Sequence, residues 1–160
     1  MSNCIPENNS NAIWNDNGNI RNGRYTSCFK NSYFLKNIEE ILYNLDNGND
    51  YYMPKKGNIR LLKSDNFLTI IEGIGIAFLN MDEANSLRIF LQCDSGLELE
   101  RRKLRKGNSL EQNDEQTNKL FEERNSQFNS NVLPYINKFN WIVKNDVNYN
   151  YIVKKKVNKS

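Results

Sequence analysis

The chain has 160 residues, 38% of them hydrophobic and 26% charged, with a formal net charge of +3. That length accommodates one domain with its own core, and the excess of positive charge is too small to argue for nucleic acid unless the charges cluster, so nucleic acid is not expected as a partner. Histidine is absent, which excludes Ser-His-Asp and Cys-His nucleophilic catalysis and every histidine-based zinc site, leaving acid–base work to Asp, Glu, Lys or Tyr.

Cys4, Cys28 and Cys93 are widely spaced and form no C-x-x-C pair, so neither a disulfide framework nor a structural zinc site is expected. No apolar run approaches the roughly 18 residues of a membrane span, and no basic-then-apolar signal pattern opens the chain. A cytoplasmic protein with no membrane role is expected. Asparagine fills 29 positions; such an excess commonly reflects base composition, so loop asparagines are not read as ligands.

Residues 1–31, rich in Asn, Ser and Gly, read as an N-terminal arm pinned by Trp14 and Tyr25. A single domain over 32–153 and a basic tail over 154–160 complete the expected organisation. The first helix is marked by Ser32 as cap, by Phe34, Ile38, Ile41, Leu42 and Leu45 at helical spacing, and by Asp46-Asn47-Gly48 as stop. Tyr51-Tyr52-Met53-Pro54 must be extended before its proline, Lys55-Lys56-Gly57-Asn58 reads as a turn, and residues 59–62 as a short edge strand.

Residues 67–71 are uncharged and mostly apolar and end on Glu72-Gly73, the pattern of a buried strand delivering one acid to its carboxyl end, where open α/β sheets place ligands. A loop or short helix over 74–84 leads to a second apolar run, 87–93, closing on Asp94. Two such strands suggest parallel neighbours. Ser95-Gly96-Leu97-Glu98 opens a helix reaching about Lys106, and Ser109-Leu110-Glu111-Gln112 opens a longer one in which Leu120, Phe121, Arg124 and Phe128 share a face. Pro134 ends that region, residues 139–143 form a third strand, and residues 147–153 alternate as an edge strand.

From about Ser32 to Val143 this order resembles the uridine kinase/phosphoribulokinase group of P-loop small-molecule kinases: a helix, a proline-bearing extended stretch, a strand ending in Glu72-Gly73, a further strand, and an arginine-rich lid helix at Leu99-Glu100-Arg101-Arg102-Lys103-Leu104-Arg105. The resemblance implies an α/β fold: a reduced three-layer P-loop-kinase-like sheet, mostly parallel, with flanking helices. It also implies ATP-dependent phosphoryl transfer to a nucleoside or similar hydroxyl acceptor. Glu72 would serve catalysis and hold Mg²⁺, while Arg101, Arg102 and Arg105 would bind ATP phosphates through bidentate guanidinium pairing. Independently of the resemblance, the aromatic faces of Tyr51 and Tyr52 suit stacking on a nucleobase of the acceptor, against the commoner reading of edge-strand or core contacts.

The family's G-x-x-x-x-G-K-[ST] loop is missing. Residues 18–25 copy its glycine spacing but place Arg24 and Tyr25 at the Lys and hydroxyl positions. The strand that carries this loop normally lies between those that Phe67 and Leu87 would begin, so the sheet lacks its centre. The alternative function is therefore a non-catalytic degenerate or split kinase acting as a binding or partner subunit, as a homo-oligomer or with a chain that supplies the loop. Taken alone, Glu72 is equally a strand-end acid bonded to the next loop. The arginines are equally a solvated face with one attractive pair (Glu98–Arg102) and one repulsive pair (Arg101–Arg105).

Overall fold

A computed structural model describes residues 11–55, 58–65, 68–81, 85–105, 114–146, 148 and 150–155. It opens with an antiparallel hairpin, β1 (Asn11–Asp16) and β2 (Asn19–Arg24). Asn17 and Gly18 both have positive φ, 52° and 90°, the signature of the tight turn whose twist matches the flanking strands and which Asn-Gly adopts most readily. Residues 11–24 are therefore a hairpin where loop was expected, and the glycine-spaced segment that copies a phosphate loop is its second strand.

Helix α1 spans Leu35–Asp46 and stops at Asn47-Gly48 with Gly48 at φ 75°, as its periodicity predicts. Ser32 does not cap it. Its hydroxyl is buried and donates to the Thr26 carbonyl at 2.7 Å. Strands β3 (Tyr51–Lys55) and β4 (Asn58–Leu62) form a second antiparallel hairpin; its turn lies outside the described residues. The hairpin's base is clamped by Ser64, whose amide and hydroxyl both donate to Asp50 Oδ1, at 2.9 and 3.0 Å.

A 3-10 helix at Ile74–Phe78 leads to β5 (Ile89–Cys93). Helix α2 (Ser95–Arg105) and helix α3 (Asp114–Asn131) then connect to β6 (Trp141–Asn145), which pairs parallel to β5, and β7 (Tyr151–Lys155) returns antiparallel to β6. The second capping pattern (109–112), the Gly107 stop and the tail beyond Lys155 lie outside the described residues.

The expected fold class is corrected. Among the described residues there are three separate small sheets, of two, two and three strands, and one parallel pair, not a mostly parallel three-layer P-loop sheet. The physical reason lies at residues 68–71, which join no ladder. Ile70 is 81% exposed, and among the described residues no strand lies on either side of this segment to pair with it. Among the described residues no helix is long and apolar enough to cross a membrane.

The core sits where α3, the 3-10 helix and the inner face of the three-stranded sheet meet. Cys28, Ala77, Phe78, Phe90, Val132 and Phe139 form it, with Phe128, Tyr135 and Ile142 packed around them. Rings meet edge-on, Phe90 on Phe139 with centroids 5.2 Å apart and Phe78 on Tyr135 at 5.3 Å, geometries that contribute beyond area burial. Gly75 is required by this packing: a Cβ there would lie 2.7 Å from the Tyr33 ring, which is held by its hydroxyl donating to the Ser27 carbonyl at 2.7 Å. Gly96, near the start of α2, faces open space. Gly75→Ala should therefore lose about 1–3 kcal/mol in urea unfolding, while Gly96→Ala should be neutral or gain up to about 1 kcal/mol; equal effects would contradict the Tyr33 contact.

Candidate functional site

The residues singled out by sequence stand at separate places. Glu72 is exposed on the unpaired extended segment before Gly73, and among the described residues it makes no hydrogen bond or ion pair with the other candidates. Arg102 lies on α2 beside Glu98, which accepts from its Nε at 2.8 Å, and its guanidinium sits 5.9 Å from the Phe121 ring of α3. This i,i+4 pair, anticipated from the sequence, ties the helix to itself and to α3. Arg101 donates to the Asp146 carbonyl at 3.1 Å, joining α2 to the loop after β6. Arg105 ends α2, and its side chain lies outside the described atoms. Tyr51 and Tyr52 sit on β3 opposite Leu62 and Leu61, and Tyr52 is exposed. Among the described residues no three His, Cys, Asp or Glu gather as a metal site.

Titration behaviour follows the same separation. Burial pushes the Cys28 thiol up, against weaker opposing effects of Thr26 and Arg124. The Cys93 thiol is raised by desolvation, then by the Glu98 carboxylate. Both are held as thiols, unlike activated nucleophiles. The backbone amide and then the hydroxyl of Ser64 lower Asp50 below its ordinary 3.8.

Sequence reasoning missed two features. One is a cleft of about 380 Å³ between the N-terminal hairpin and the end of α3, where Tyr25 and Phe29 stack 4.8 Å apart beside Lys30, Phe78, Asn131 and Tyr135. Its lining holds a cation, several amides and no carboxylate. Only the assembled hairpin reveals it.

The other is the outer side of the three-stranded sheet. Cross-strand partners share a face, so Phe90 and Ile142 point into the core while Ile89 with Trp141, Leu91 with Val143 and Val153, and Cys93 with Asn145 and Tyr151 point away. Leu91 is 73% exposed, Val153 55% and Ile89 47%. Strand β5 is also an edge, since among the described residues no strand pairs with its far side. Native edges are normally blunted by lysine, proline or a bulge. Strand β7 ends in Lys154-Lys155, whereas β5 reads Ile-Phe-Leu-Gln-Cys with no charge and no proline. The sequence signal was present, but a continuous apolar run reads equally as a strand buried on both sides.

The Asp50 clamp predicts a pH signature. A depressed carboxyl contributes stability that is present above its unfolded value and lost as pH falls through its folded one. The Ser64 amide resonance should therefore titrate with a midpoint below 3.8; a midpoint at or above that value would show the hairpin base open in solution.

Compared with protein-family models, curated proteins and solved structures, the chain matches none of them.

Proposed function

We propose that this protein is a non-catalytic partner subunit whose β5 accepts an uncharged β-strand from another polypeptide. The observation that carries this reading is the unguarded edge of Ile89–Cys93 beside an exposed apolar face. Strand addition draws affinity from main-chain hydrogen bonds and selectivity from alternate side chains. Here the alternate positions are Ile89, Leu91 and Cys93, which suit apolar side chains and offer nothing to a charged strand.

The kinase resemblance adds nothing to this reading, because the sheet it implies, with a strand missing beside the one that Leu87 begins, is not the fold observed. Phosphoryl transfer, the other function it implies, would need Glu72 and the α2 arginines around one ligand. No contact among the described residues draws them together.

The test is amide hydrogen exchange at residues 89–93 with a short alternating Val/Thr peptide, and with its N-methylated form, which cannot pair. The unmethylated peptide should protect β5, and Leu91→Lys should weaken it about fivefold or more, as edge lysines do in native sheets. Unchanged β5 exchange with the unmethylated peptide at millimolar concentration would overturn the proposal.

A further inference from the structure

The residues at the two ends of β5 narrow the choice of partner. Arg88, immediately before the strand, is 6% exposed. Its amide donates to Asn140 Oδ1 at 2.8 Å, and its carbonyl accepts from the amides of Asn140 and Trp141. Among the described residues its guanidinium meets the carbonyls of Leu79 and Met81, both at 3.4 Å, and its Nε meets no acceptor. Among the described residues no carboxylate pairs with Arg88. A buried cation whose donors are half satisfied is costly, and an approaching carboxylate offsets that cost.

Asp94 immediately follows the strand. Its side chain is 63% exposed and meets Lys144 at 2.6 Å. Within one chain it lies at the opposite end of β5 from Arg88. Two copies of β5 run antiparallel about a two-fold axis at Leu91 change this. Leu91 then faces Leu91 of the second copy, Ile89 faces Cys93, Phe90 faces Gln92, and Arg88 faces Asp94 at both ends. The outward pairs are apolar and the end pairs opposite in charge, and each contact recurs about the axis as an isologous interface demands; only Phe90 opposite Gln92 is mixed, with Phe90 turned into its own core. Slipping the register sets Arg88 beside an uncharged residue and moves Leu91 off its counterpart.

Resting on the strand-accepting reading above, we infer that the strand β5 accepts is β5 of a second copy of this chain, antiparallel and centred on Leu91, with Arg88 of each copy opposite Asp94 of the other. Two three-stranded sheets become one of six, with both α3 helices on the same side. The edge is closed by the protein's own uncharged strand, which needs no foreign complement.

The test uses the full chain carrying Leu91→Cys with Cys4→Ser and Cys93→Ser; Cys28 is kept because it is buried. Directly opposed residues of an antiparallel pair stand about 5 Å apart, within reach of a disulfide, whereas two sheets packed face to face stand about 10 Å apart and beyond it. Mild oxidation should give a covalent dimer through the introduced thiol at protein concentrations where the reduced form is dimeric by light scattering and folded by circular dichroism. Asp94→Lys, at an exposed position, should raise the dissociation constant at least about tenfold by setting like charges opposite each other. A dimer in which the introduced thiols form no bridge, or one indifferent to Asp94→Lys, overturns this register. A chain that stays monomeric yet binds the Val/Thr peptide overturns the second copy and leaves strand acceptance standing; failure of the peptide as well removes both.

Discussion

The N-terminal hairpin is joined to α3 at Gln127, a side chain with no exposed surface. Its amide nitrogen donates to the Arg24 carbonyl at 2.8 Å and its amide oxygen accepts from the Thr26 hydroxyl. One turn earlier the Glu123 carboxylate accepts the Arg24 amide, and beside them Ser126 accepts from the Trp14 indole and donates to Asp16, both at 2.8 Å. A short polar stretch of one helix thus satisfies the orphan backbone groups where β2 leaves its hairpin, which buried polar groups require. Without it Trp14 has no partner and Cys28 no reason to lie at the heart of the core. Gly23 belongs to the same arrangement, since a Cβ there would strike the Glu123 carboxylate.

This dependence explains an unusual division of labour. Among the described residues only nine apolar side chains are buried, a thin core for a chain of this length. Polar latches carry the assembly over distances that apolar packing does not span, with Arg88 and Asn140 fixing β5 to β6 and Arg101 fixing α2 to the loop after β6. A fold held this way leaves apolar surface without cover, on both hairpins as well as on β5 and its outer neighbours.

Much of the architecture was legible. Helical periodicity located α1 from Leu35 to Asp46, the Glu98–Arg102 spacing appeared as a contact, and Trp141 and Tyr151 fall in strands close to those expected. What failed was pairing. An apolar run such as residues 68–71 reports a preference for extension but not whether a neighbour exists, and the described residues supply none. Asn17-Gly18 carried the opposite lesson: the turn was written in the sequence, but the polar residues around it disguised a hairpin whose buried side is only Ala12 and Trp14. The cleft beside Asn131 and the half-satisfied guanidinium of Arg88 depend on residues far apart in sequence meeting in space, and no local pattern announces them.

The segment from α1 through β4 has another consequence. Its helix packs chiefly on β3, its hairpin is closed by Asp50 and Ser64, and its described side chains from Leu35 to Leu62 include none that is buried. Almost all its interactions are local in sequence, and few tie it to the core. Such a segment opens as a unit at a free energy well below that of global unfolding. The molecule therefore has two layers of cooperativity: an inner body that unfolds all at once, and a helix-hairpin annex that detaches and re-forms many times within its lifetime.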